Sequence, residues 1–345
     1  MHAYTEFDTL MFGRRLRKNW TAMKQADDIK VTICITPRER FSTALSSLRN
    51  IIANTEFPYH LVYIDANSPA HIGQSIAATC AEYGFDYIRI DEYLPPNRAR
   101  NRALSIANTP YVVFADNDLY VDKGWLPPLI DCAEATGAWA VGPIILEGIA
   151  ALRVIHMAGG DFTEIELEDG SVKVAQRHRY MMSPLRSIRK KLKREPVGAF
   201  EFHCVLLRTS AFEQREFLNN NLLSLGEHLD LARDIRLAGG DVYFEPRSIV
   251  RYDTATAFDD MDRKFFELRW SEEWSNRSLE EMRKKWVLRP DDESLQRMAR
   301  WTAKHRQLFS QSQKSWLRKN LPVVGRRWVS TMLRERGLLR AQVPR

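Results

Sequence analysis

Two clusters of residues in this sequence carry enough chemistry to act on a substrate. The first is Asp116-Asn117-Asp118, which directly follows the apolar run Tyr111-Val-Val-Phe-Ala115. On extended backbone, residues i and i+2 point the same way, so both carboxylates can face one pocket at a sheet edge. Close carboxylates repel each other and cost desolvation, and a hard divalent cation removes that liability. Mg2+ or Mn2+ held by one or two carboxylates typically keeps coordination positions for phosphate oxygens. Asp116 and Asp118 are therefore candidate metal ligands, against the bland alternative of a solvated turn. The second cluster is Gly226-Glu227-His228-Leu229-Asp230-Leu231, followed by Arg233, Arg236 and Ala238-Gly239-Gly240. Leu229, Ile235 and Leu237 predict a helix that stops at the glycine pair. Glu227 and His228 fall at its start, where free N–H groups favour carboxylates and anionic ligands.

The elements that must position these residues follow from periodicity. Val31–Ile35, His60–Ile64, Tyr87–Ile90 and Tyr111–Ala115 read as strands, and Trp139–Leu146 as a further one. Helices are predicted within Phe41–Asn54, around Gly73–Tyr83 and over Arg98–Ala107. This alternation implies βαβ units and a mostly parallel sheet, an α/β fold whose ligands bind beyond the carboxyl ends of the strands. Thr36, Asp65, Ser68 and Asp116–Asp118 occupy those ends. Residues 159–196, with the basic run Arg186–Arg194, read as an insertion or mobile loop, either a solvated surface segment or an anion-binding one. From Met261 onward the chain reads as helical, with Ser278-Leu-Glu-Glu281 as a capping box. The expected organisation is a lead-in over 1–29, a catalytic domain over 30–258 and a helical region over 259–345.

Composition narrows the class. The 345 residues are 44% hydrophobic and 28% charged, which excludes a wholly disordered chain and a polytopic membrane protein. No apolar run approaches the roughly 20 residues of a bilayer span, and Arg14, Arg15, Arg17 and Lys18 interrupt any signal-peptide core. Four scattered cysteines without CxxC spacing argue against a thiolate metal site and for a reduced, cytoplasmic setting. The net charge of +7 is concentrated in the tail, where nine basic residues beyond Gln311 face only Glu335. Trp316, Leu317, Leu321, Val323, Val324, Trp328 and Leu333 interleave with those charges. That composition suits peripheral attachment to an anionic membrane surface, with a helical subdomain packed on the body as the alternative. No nucleic-acid module is visible, and nucleic acid is not an expected partner.

Taken together, residues from Val31 to about Tyr252 resemble family two of the glycosyltransferases, inverting enzymes with the GT-A nucleotide-sugar fold. The resemblance runs in order through VTICITPRER, LVYIDANSP, NRARNRAL, YVVFADNDLYVDKGWL, FHCVLLRTSAF and GEHLDLARDIRLAGGDVYFEP. It implies a nucleoside-diphosphate sugar donor, a carbohydrate or other hydroxyl acceptor, and Mn2+ or Mg2+. Asp65 and Thr36 would then line the base pocket, and Arg98 and Asn101 would lie near the nucleotide. Asp116 would face the ribose and the metal, and Asp118 the metal bridging the diphosphate. The catalytic base would come from the Glu227-His228 pair, with Asp230 third. The family usually has Asp where His228 stands, and often a histidine near Arg251-Tyr252-Asp253 as a further metal ligand. A catalytically degenerate binding protein is the alternative that His228 raises. The glycine-free TPRER turn argues against a sugar-nucleotide pyrophosphorylase, and Leu119-Tyr120 after Asp118 against a haloacid-dehalogenase-type phosphatase.

Overall fold

The computed structural model of the protein describes residues 29–212, 218–254 and 256–309. The chain opens with β1 (Val31–Thr36), α1 (Ala44–Asn54), β2 (His60–Ala66), α2 (Ala70–Tyr83), β3 (Asp86–Ile90), α3 (Pro96–Leu104) and β4 (Tyr111–Asp116). These four strands pair in parallel in the order β4-β1-β2-β3. The runs in β1, β2 and β4 are buried on both faces, the signature of strands covered by helices on either side. Ile33 and Ile35 pack with Leu48 and Ile51 of α1 and Ile76 of α2. Cys34 and Val112, pointing the other way, pack with Ala99 and Ala103 of α3.

Beyond β4 come β5 (Leu119–Val121), α4 (Leu126–Thr136), β6 (Ala140–Glu147), β7 (Val154–Met157), β8 (Gly160–Glu166), β9 (Val172–His178), α5 (Leu185–Ile188), β10 (Glu195–Pro196) and β11 (Cys204–Arg208). Then follow α6 (Glu227–Leu237), β12 (Val242–Tyr252), α7 (Arg263–Arg269), α8 (Glu272–Lys285) and α9 (Glu293–His305). Strand β11 runs antiparallel between β4 and β6, which extends the sheet to ten strands, mixed rather than wholly parallel. Segment 159–196 is structured instead of a mobile loop. Strands β8 and β9 form a regular seven-pair antiparallel hairpin, and Phe162 and Val174 on its inner face join the core. Its outer face is charged, which disguised it as loop.

The C-terminal helices pack on the body and grip the turn after β1. Asp262 accepts from the Phe41 N–H at 2.7 Å, the Ser42 N–H at 2.9 Å and the Ser42 hydroxyl at 2.7 Å. Glu39, wholly buried, accepts from Tyr252 Oη at 2.8 Å, Trp270 Nε1 at 2.9 Å and His305 Nε2 at 3.0 Å. Burial would push its carboxyl up, but Arg38 and His305 outweigh it and hold Glu39 well below the usual range. Glu39→Ala strips the shared acceptor from these donors. It is expected to cost about 3–5 kcal/mol, the scale of breaking a buried charge pair, read as a shift in the denaturant midpoint. A shift worth under about 1 kcal/mol would show that this cluster does not hold the turn. Helix α8 starts at Ser271, whose side chain accepts from the Trp274 N–H. The expected capping box at Ser278 is therefore corrected. Ser278 lies mid-helix, bonding Trp274 O and accepting from the Leu223 and Ser224 N–H groups. No helix among the described residues is long and apolar enough to cross a membrane. The lead-in and the basic tail beyond Gln311 lie outside the described residues.

Candidate active site

Strand β4 delivers Asp116 to the carboxyl edge of the sheet in register with Thr36 of β1. The next residue, Asn117, locks the facing turn. Its amide donates to Arg40 O at 2.8 Å and its Oδ1 accepts from the Arg38 N–H at 3.1 Å. Arg38 and Arg40 are thereby aimed at the acidic pair. Arg38 Nε lies 3.4 Å from Asp116 Oδ2, and Arg40 Nε 3.5 Å from Asp118 Oδ2. Arg100 of α3 adds a third guanidinium 3.5 Å from Asp116 Oδ1, and His203 Nδ1 stands 3.0 Å from Asp116 Oδ2. Apart from Arg38, which is partly buried, all of these side chains are nearly or wholly buried.

The two carboxylates are driven apart in proton affinity. Burial raises Asp116, but His203, Arg38 and Arg100 outweigh it and keep its pKa below the ordinary value. Burial dominates at Asp118, which is pushed up to about 7. Neither Asp118 oxygen takes a hydrogen bond, and Thr36 Oγ1 is also buried without one. Two hard carboxylates, one of them with neither oxygen hydrogen-bonded, suit Mg2+ or Mn2+. Asp253, one residue beyond β12, caps its own turn, accepting from Thr256 N at 3.1 Å and Thr256 Oγ1 at 2.7 Å.

Around this centre the expected residues divide. The Asp65 carboxylate is already committed to Ser68 N, Ser68 Oγ, Tyr87 Oη and Arg89 Nη1, at 2.6–2.9 Å. It shapes the turn after β2 instead of presenting free oxygens to a base. Arg98 is exposed, and it is Arg100, two residues on, that faces the acids. Asn101 binds Leu218 O and accepts from the Leu218 N–H, so it anchors the 218–221 segment. Asn97 and Arg100 lie one helical turn apart on the buried face of α3, a phase readable from Ala99 and Ala103.

Helix α6 presents the second cluster. Gly226 adopts φ +85°, and a Cβ there would strike the Met282 side chain of α8, so this start requires glycine. Glu227 is buried 3.0 Å from Arg269 Nη1. Burial raises its carboxyl, but Arg269 and Arg100 outweigh it and keep it ionised below the usual range. His228 Nε2 lies 3.4 Å from Glu201 Oε1, and burial lowers its pKa. Asp230, three residues on, borders the same cavity as Glu227. It accepts from Lys285 Nζ at 2.8 Å and Trp286 Nε1 at 2.9 Å, tying α6 to α8. A cavity of about 950 Å³ opens beside Glu227, lined also by Asn97, Asn219, Asn220 and Glu281. Arg38, Arg40, Arg100 and Glu39 were not singled out from sequence, and the acids that Arg38 and Arg40 face and the donors to Glu39 lie far off along the chain.

The sequence profile described as "Glycosyl transferase family 2" matches residues 32–215. No curated protein matches the chain significantly. Among solved structures, that of GalNAc-T7 with UDP, GalNAc and Mn2+ aligns at 15% identity and a TM-score of 0.51, over 80% of this chain and 54% of that one. The chain thus spans about half the length of that relative. S. aureus TarS 1–349 in complex with UDP-GlcNAc aligns at 16% identity and a TM-score of 0.48, over 85% of this chain and 74% of that one. The fold is that of the GT-A transferases.

Proposed function

Because the chain belongs to glycosyl transferase family 2, we propose that it transfers a sugar from a nucleoside-diphosphate donor to an acceptor hydroxyl, with inversion. The observation that carries this reading is the buried Asp116–Asp118 pair, its Asp118 oxygens without a hydrogen bond, within 3.5 Å of Arg38, Arg40 and Arg100. Such a concentration of guanidinium groups suits a diphosphate, whose oxygens each accept charge-assisted hydrogen bonds. Asp116 and Asp118 would hold Mn2+ or Mg2+. When bound, the cation acts as a Lewis acid on the charge that builds on the departing nucleoside diphosphate. Arg38 and Arg40 orient the diphosphate at the end of β4, and His203 keeps Asp116 in place. The asparagine- and acid-lined cavity beside Glu227 offers a carbohydrate acceptor the polar partners its hydroxyls require. Glu227, ionised at neutral pH, takes the acceptor proton.

The test is thermal shift followed by turnover. UDP and other nucleoside diphosphates, each with and without Mn2+, should raise the melting temperature more together than singly, since ligands that bind only the native state stabilise it. A donor sugar that stabilises the protein should then be hydrolysed or transferred. No stabilisation by any nucleotide with Mn2+ overturns the donor site, and binding without turnover favours a degenerate binding protein. We also propose that the tail beyond Gln311 attaches the enzyme to anionic membranes in polysaccharide or glycan assembly. Equal sedimentation of full-length and tail-deleted protein with anionic vesicles would remove that role.

A further inference from the structure

Four of the chain's eight histidines converge beside the acidic pair, with two glutamates among them. His156 of β7, His178 at the end of β9 and Glu201 before β11 offer ligand atoms all within 4.8 Å of one another. We propose that these three residues form a second metal centre, distinct from the Asp116–Asp118 pair and selective for a borderline divalent cation such as Zn2+.

The chemistry of the ligands separates the two centres. Two imidazoles and one carboxylate suit Zn2+, whereas paired carboxylates suit Mg2+ and Mn2+. The surroundings are also those of a metal site. His156 Nδ1 lies 2.9 Å from Glu147 Oε2, which fixes the proton on Nδ1 and leaves Nε2 free to ligate. That is the carboxylate–histidine arrangement found behind metal-bound imidazoles. His178 Nδ1 is buried without a hydrogen-bond partner, and its Nε2 lies 3.2 Å from Glu201 Oε1. His228 Nε2 reaches the same carboxylate oxygen at 3.4 Å. The three ligands are each only 14–17% exposed, so an ion would be largely sequestered. Three protein ligands leave a coordination position for water or an acceptor hydroxyl. The centre adjoins the donor end, since the His156 ring is 5.4 Å from that of His203, which contacts Asp116. Residues from three separate elements make this convergence invisible as sequence spacing.

The inference does not rest on the transferase reading, because metal uptake is measured without substrate. Full-length protein stripped with chelator would be titrated with Co2+, whose four-coordinate complexes absorb visibly, and then with Zn2+. The expected result is one visible Co2+ site per chain, displaced by Zn2+, retained in Asp118→Asn and weakened at least tenfold in His156→Ala and Glu201→Gln. Glu147→Gln leaves every ligand in place, so it tests the site even if the other variants do not fold. It should weaken binding about ten- to a hundredfold, the scale for losing an outer hydrogen-bond partner. Absence of a Co2+ band in wild type overturns the proposal. So does a band lost in Asp118→Asn but kept in His156→Ala, or one unchanged in Glu147→Gln.

Discussion

Asp118→Asn is expected to end turnover and, in metal-free buffer at pH 8, to raise the melting temperature by several degrees. The two effects have one origin. Asp118 is wholly buried, neither of its oxygens takes a hydrogen bond, and burial pushes its pKa up to about 7 from 3.8. The folded state therefore binds this proton more tightly than the unfolded chain. The sign follows: stability from this group is complete below about pH 4, declines as pH rises towards 7, and stays lost above it. Asparagine mimics the protonated acid and escapes that decline. The variant's advantage should accordingly be largest at pH 8 and shrink on acidification through pH 7 and below. Mn2+ should reverse the ranking, raising the wild type's melting temperature and leaving the variant's unchanged. A variant that keeps full activity, or whose thermal advantage does not change with pH, would refute this account of the pair. The expectation also explains why an acid persists at so unfavourable a place: the same burial that destabilises it strengthens its hold on a cation.

What could be read from sequence was local in chain distance. Strands β1, β2 and β4 announce themselves as β-branched runs, and Asp116 and Asp118 are recognisable because only one residue separates them. The start of α6 is legible in Gly226-Glu227 for the same reason. Arg38, Arg40 and Glu39 carry no such mark. Glu39 acquires its role from Trp270 and His305, 231 and 266 positions away, and Phe41 from Asp262, 221 away. Hairpin β8–β9 was obscured differently. Asp161, Thr163, Lys173 and Arg177 lie on its outer face, and Glu164, which pairs with Arg233, stands on the inner face beside Phe162 and Val174, so charge on both faces masks the alternation. Arg98 and Arg100 are told apart by helical phase. The buried face of α3 runs through Asn97, Arg100, Ala103 and Leu104, and Arg98 falls on the opposite, exposed side. Ser278, with Glu281 three residues on, has the spacing of a capping box, yet its hydroxyl serves the 223–224 backbone. Only the tertiary partner distinguishes those uses.

Glu227→Gln is expected to lower kcat about 100-fold or more, the scale of general-base catalysis, while the donor Kd changes little. The attacking hydroxyl of an inverting transfer must lose its proton as it reaches the anomeric carbon. Glu227 satisfies the first requirement of a base, since Arg269 at 3.0 Å and Arg100 hold it ionised despite burial. It also borders the 950 Å³ cavity proposed for the acceptor. Glutamine keeps the shape and loses the charge, and Asp116 and Asp118 are untouched, so nucleotide affinity should survive. His228→Ala should be the milder change, because burial lowers that imidazole's pKa and Glu201 engages its Nε2. Asp230→Asn should act on stability, since its oxygens are used by Lys285 and Trp286. Steady-state kinetics alongside calorimetric titration of the nucleotide separates these effects. The role passes to the histidine if Glu227→Gln stays nearly active while His228→Ala is dead. It becomes structural if Glu227→Gln weakens donor binding and melting temperature together, because then the Arg269 pair, and not the proton, is what the carboxylate supplies.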